Sequence, residues 1–152
     1  MPAIEPLHQM ISVNRLMLTH QENALLELEL FSRICEELKE IFRKQHRDYF
    51  RLMNFAIEQE NHMFESSIIQ FIINDILSTG EYNLKGIACY TGSFEDVVVE
   101  SLTGVNKCPS AVFLRKLIDL HRSVRRDVYN LIMKKIITKV KIEINEEEKL
   151  NE

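Results

Sequence analysis

The chain has 152 residues and a formal net charge of -4, with 45% hydrophobic and 28% charged residues. That is enough apolar material to bury the core of one domain or two small ones, and it excludes a disordered chain. The acidic balance excludes nucleic-acid binding by overall charge, so any such binding needs a local basic patch.

Four glycines, three prolines, no tryptophan and many Leu, Ile, Glu and Lys residues predict an all-α protein. Cys35, Cys89 and Cys108 are odd in number and far apart, with no CxxC pair. They read as reduced thiols and imply a cytoplasmic location, with a buried, inert thiol as the ordinary case. The first residues include Glu5 and His8 and carry no long apolar stretch, so they do not read as a signal peptide. The run Ile68 to Leu77 is interrupted by Gln70, Asn74 and Asp75 and is too short to span a bilayer.

Residues 1–18 hold Pro2 and Pro6 and a short apolar pattern at Leu7, Met10, Ile11, Leu16 and Met17, consistent with an arm or short helix. No glycine or proline occurs from residue 7 to residue 79, which favours long helices. Phe31, Ile34, Leu38, Ile41, Gln45, Tyr49, Leu52 and Ala56 follow spacings of three and four, close to a heptad seam. A helix from about residue 21 to 54 is long for a globular domain. A single break near Lys44 to Asp48 would make it an antiparallel hairpin; without the break it would extend as a coiled coil. Phe31, Ile34, Leu38, Ile41 and Leu52 are accordingly the candidate seam of a homodimer, with an intramolecular bundle as the alternative.

A further helix spans about Phe64 to Ser78, apolar nearly all round and therefore buried. Thr79-Gly80 ends it. Leu84, Ile87 and Ala88 lie on one helical face, and Val97, Val98 and Leu102 on another. Between them sits Thr91-Gly92-Ser93, the kind of short, glycine-containing corner that joins two crossing helices. Gly104 closes the second of these helices, and Pro109-Ser110 opens a third, Ala111 to His121. A last helix runs from about Asp127 to Lys139. Val140 to Ile144 alternates apolar and charged residues, as a short strand or continued helix would, and an acidic, mobile end follows. The expected division is a helical dimerisation or bundle region at 1–62, a helix-turn-helix domain with its C-terminal helix at 63–141, and an acidic tail at 142–152.

The order Gly80, Leu84-x-x-Ile87-Ala88, Gly92, Val98, Gly104, Pro109-Ser110 and an apolar helix resembles the Cro/repressor (Xre-like) helix-turn-helix domain. The resemblance covers about residues 64–121. It implies a DNA-binding transcriptional regulator whose second corner helix enters the major groove. The turn from Gly104 to Ser110 is about one residue longer than the usual pattern. Ser93 stands where the family has an apolar residue, a role that falls to Phe94. The outward positions of the second helix would be Glu95, Asp96, Val99, Glu100 and Thr103, with no Lys or Arg. Glu95, Asp96 and Thr103 are the candidate base contacts, since a carboxylate accepts a hydrogen bond from cytosine. Three carboxylates facing a polyanion are unfavourable unless nearby cations offset them.

Those cations lie downstream. Residues 107–141 hold ten Lys or Arg residues against two Asp residues. Lys107, Arg115, Lys116, Arg122, Arg125 and Arg126 are the candidate phosphate contacts, with Arg115 and Arg122 on one helical face. A smaller basic face at Arg43, Arg47 and Arg51 reads first as solvated surface paired with Glu36, Glu37 and Glu40. His20, His46 and His62, with Glu58 and Glu65, form no recognisable metal pattern. There is no phosphate-binding glycine loop and no nucleophile with a supporting base, so enzyme activity has no positive support. The expectation is a non-enzymatic, cofactor-free regulator that binds double-stranded DNA as a homodimer. The alternative is a protein-interaction module on a helix-turn-helix skeleton, whose acidic second helix docks a basic partner.

Overall fold

A computed structural model describes residues 19–54 and 56–150. The expected arm at 1–18 lies outside them. Among the described residues the chain is all-helical: α1 (His20–Gln45), α2 (Arg47–Leu52), α3 (Ile57–Ser78), α4 (Leu84–Thr91), α5 (Glu95–Thr103), α6 (Ala111–Val124) and α7 (Arg126–Leu150). No helix among the described residues is long and apolar enough to cross a membrane.

Helix α1 starts at a reciprocal cap. The Glu22 backbone N–H donates to the Thr19 hydroxyl at 3.2 Å, and the Thr19 N–H donates to the Glu22 carboxylate at 2.7 Å. The helix breaks at His46, within the Lys44–Asp48 window, and α2 follows. Asn54, the sole described non-glycine residue with positive φ, turns the chain toward α3. At the other end, α7 continues to Leu150, so Val140 to Ile144 is helix and not strand, and the helix takes up most of the segment expected as an acidic tail.

The chain divides into two compact units. One joins the chain up to Leu38 with the chain from Asp127 onward; the other is Lys39–Arg126. The units therefore part at residues 38 and 126, whereas the sequence suggested a boundary at 62. The reason is that α7 pairs with the first part of α1, which no local signal announces. In the first unit Leu30, Ile34 and Leu38 of α1 and Val128, Tyr129, Ile132 and Ile136 of α7 are buried. Glu37 is buried with them, and its carboxylate accepts from Lys135 at 3.1 Å and from Lys139 at 2.6 Å. Burial pushes the Glu37 carboxyl up, but the two ammonium hydrogen bonds outweigh it and hold the group below its ordinary range.

The dimer seam does not survive as one stripe. Ile34 and Leu38 are already buried within the single chain, Phe31 and Ile41 are half-buried, and Leu52 is 83% exposed on a separate helix. Leu52 lies beyond the break at His46, at the end of α2.

In the second unit α3 packs against α5 and α6, and α4 packs against α5 and α6. Ile72, Ile73 and Ile76 of α3, Ile87 and Ala88 of α4, Val98 of α5, and Phe113, Leu117, Ile118 and Leu120 of α6 are buried. Phe42 and Phe50 add to this core, with Phe42 stacked on Phe71 at 5.4 Å between ring centres.

Candidate nucleic-acid interface

The corner is built by local chemistry. Asn83 caps α4 by accepting the Gly86 N–H at 2.8 Å. Gly92 ends α4 in the left-handed conformation, at φ 66°. Its N–H reaches the Cys89 carbonyl at 3.3 Å, and the Ser93 N–H reaches the Ala88 carbonyl at 3.0 Å. That double closure satisfies the last carbonyls of α4 and turns the chain sharply. The buried Thr91 hydroxyl donates to the Ile87 carbonyl at 2.9 Å and lies 2.7 Å from the Ser93 hydroxyl. This polar pair occupies the turn position where an apolar residue was expected. Phe94 does not supply that role, for it is 83% exposed.

Helix α5 buries Val98 and Ser101 and turns Glu95, Asp96, Val99, Glu100 and Thr103 outward, all exposed. Phe94 offers no side-chain cap, so Glu95 and Asp96 in the first turn stabilise the helix start through its dipole. At the far end Gly104 has φ 76°, and a Cβ there would meet the Gln70 amide nitrogen at 2.6 Å. Gln70 uses that nitrogen to bond the Leu102 carbonyl at 3.1 Å, which ties α3 to the end of α5. Glycine is thus favoured by its left-handed conformation, and a side chain there would displace the Gln70 amide from the Leu102 carbonyl.

Helix α6 starts at Ser110, whose hydroxyl accepts the Phe113 N–H at 3.2 Å. Lys107, Arg115, Lys116 and Arg126 are exposed and form no ion pair among the described residues. The Lys116 ammonium lies 3.2 Å from the position a Cβ on Gly92 would take, which places one cation at the corner itself. The rest of the expected basic stripe is weaker than its sequence. Asp119 falls between Arg115 and Arg122 on the same helical face. Arg122 is half-buried.

Arg125 is removed from the phosphate set. Its guanidinium binds the Asp75 carboxylate, with Nη1 2.6 Å from Oδ2. The same carboxylate lies 2.7 Å from Nε2 of His121, which is 0% exposed. Burial pushes the Asp75 carboxyl up, but the hydrogen bond and charge of His121 and the Arg125 guanidinium outweigh this and hold it below its ordinary value. This constellation pins α6 to α3, and it escaped the sequence reading. The signal was present on each side: His121 sits four residues after Leu117 on an apolar face, and Asp75 interrupts an apolar run. A fully enclosed imidazole clamped by a carboxylate reaches no substrate, so the cluster works as a fastener.

Among the described residues no group of three or more His, Cys, Asp and Glu side chains is arranged to hold a metal. His46 lies against Phe71, with ring centres 5.1 Å apart. Cys89 and Cys108 are exposed free thiols, and Cys35 is half-buried, so the expectation of buried thiols does not hold for the first two. No family model matches the chain, and neither a curated protein nor a solved structure is similar to it at a significant level.

Proposed function

We propose that the chain is a DNA-binding transcriptional regulator of helix-turn-helix plan, acting in the cytoplasm as a homodimer. The observation that carries this reading is a set of exposed cations with no ion pair among the described residues: Lys107, Arg115 and Lys116, the last of them at the corner, with Arg126 at the start of α7. Cations without internal partners are the ones available to replace condensed counterions on a duplex. In this reading they fix the module on the phosphate backbone, and α5 faces the groove with Glu95, Asp96 and Thr103 nearest the bases. Two-fold symmetry would present two such heads to a pseudo-palindromic site. The dimer needs a contact other than the seam from Phe31 to Leu52. Mobility shifts of mixed genomic fragments at two salt concentrations test the reading. Retardation at low salt that weakens steeply as salt rises supports it; no retardation at low salt removes it.

A second reading has its own observation. The outward face of α5 combines Glu95, Asp96 and Glu100, none of them ion-paired among the described residues, with exposed Phe94 and Val99. Exposed apolar groups ringed by one sign of charge suit a basic protein surface better than a polyanion. Here the helix-turn-helix skeleton serves as a protein-docking module. Neutralising the three carboxylates separates the two readings: protein docking weakens, whereas DNA affinity holds or rises.

A further inference from the structure

We infer that Asp75 of α3 is a positioning residue for the phosphate contacts of α6. The inference rests on the DNA-binding reading. It names the interaction that holds Arg115 and Lys116 in one orientation, so that both meet the duplex together.

Burial alone sets the orientation of α6 loosely. Phe113, Leu117, Ile118 and Leu120 hold the helix on the core. Apolar contact is non-directional, so it resists withdrawal of the helix more than a small rotation about its own axis. Such a rotation matters on the solvent side. A helix with its side chains is roughly 10–12 Å across, so a turn of about 20° carries a side-chain tip by roughly 2 Å. That exceeds the spread of about 0.5 Å over which a hydrogen bond keeps its strength. The Ser110 cap does not prevent the rotation, because it closes the first turn of α6 on itself.

Bonds to one carboxylate do oppose it. Nε2 of His121 lies 2.7 Å from Oδ2 of Asp75, and Nη1 of Arg125 lies 2.6 Å from the same oxygen. His121 and Arg125 are four residues apart, so two points one turn apart converge on a single group of α3. His121 is 0% exposed, and water does not compete for its bond. Its ring is held from another side by Phe42, stacked at 6.3 Å between ring centres, and Phe42 stacks in turn on Phe71 of α3. The Arg125 N–H donates to the His121 carbonyl at 2.8 Å, which fixes the backbone where the guanidinium leaves it. Charge-assisted bonds of this kind are short and directional. They lock the C-terminal end of the helix whose N-terminal half carries Arg115 and Lys116. Lys116 is the more sensitive of the two, since its ammonium has to stay beside Gly92 at the corner.

Fluorescence anisotropy of a mixed-sequence duplex, titrated with the full chain over a range of salt, tests the inference. Circular dichroism sets conditions at which each variant is helical. D75N is expected to bind about tenfold more weakly at low salt. Its salt slope should be shallower by about 2 in the homodimer, for one lost phosphate contact in each protomer. R125A should behave alike, whereas R125K keeps a cation for the carboxylate and should stay near the wild type. In a chain that already carries R115E and K116E, D75N should change nothing further, because the cations it orients are gone. A carboxylate that served stability alone would leave the affinity and slope of the folded protein unmoved in D75N, and that result overturns the inference. An R125K variant as weak as R125A overturns it, and so does a D75N effect that persists in full beside R115E and K116E. If D75N does not fold, R125A carries the same comparison with the Asp75–His121 bond intact. A wild type that binds no duplex removes the inference together with the DNA-binding reading. A slope that falls on reversal of Arg115 and Lys116, but not in D75N or R125A, removes the inference alone.

Discussion

The outward faces of α5 and α6 border the same corner and carry opposite charge. Helix α5 shows Glu95, Asp96 and Glu100 to solvent, and α6 shows Arg115 and Lys116, with Lys107 just ahead of it. A helix-turn-helix that reads bases in the usual way puts its cations where the second helix meets the duplex. Here the exposed cations lie one helix later, on and just ahead of α6. The acids of α5 meet a local need, because they stabilise a helix start that Phe94 leaves uncapped.

The strongest way to break this contrast is to release α6 from α3. Asp75→Ala leaves the buried His121 and the Arg125 guanidinium without their carboxylate, and should cost about 3 kcal/mol of stability in chemical denaturation. The pH dependence has a defined sign. The folded-state pKa of Asp75 lies below its ordinary 3.8, so its contribution is full above that value and disappears as pH falls through the folded pKa. Asp75→Asn should therefore flatten the acid side of the stability profile; an unchanged profile would show that the carboxylate does not fasten the helices.

The next effect sharpens the contrast directly. Charge reversal of Arg115 and Lys116 together should lower DNA affinity by about a hundredfold at low salt. Loss of the Ser110 cap comes third: Ser110→Ala should destabilise the protein by about 1 kcal/mol and leave the salt dependence of any DNA binding as it was. The smallest effect tests α5. Neutralising Glu95, Asp96 and Glu100 together should raise DNA affinity by about threefold if the helix lies near the phosphates, and leave it unchanged if α5 faces away.

What the sequence made legible was whatever short-range chemistry decides. The scarcity of glycine and proline up to residue 79 pointed to long helices, and the break near Lys44 to Asp48 fell at His46. Gly92 marked the corner because only a left-handed residue completes the paired hydrogen bonds to Ala88 and Cys89. Pro109-Ser110 marked the start of α6. What stayed hidden depends on residues far apart in the chain. His121 and Asp75 are 46 residues apart, and Glu37 and Lys139 are 102 apart. Arg125 looked like one more cation in a basic run because its partner lies on α3. Ile34 and Leu38 looked like an intermolecular seam because the sequence does not say that their own chain covers them.

The central claim is that unpaired cations at Lys107, Arg115, Lys116 and Arg126 contact DNA phosphates. The salt dependence of affinity for a mixed-sequence duplex, measured by fluorescence anisotropy, tests it most directly. With these four cations engaged in each protomer of the homodimer, eight in all, log affinity against log salt should fall with a slope of about -7, and the Arg115 and Lys116 double reversal should remove at least half of it. No binding at low salt, or an identical slope in the double variant, would contradict the claim.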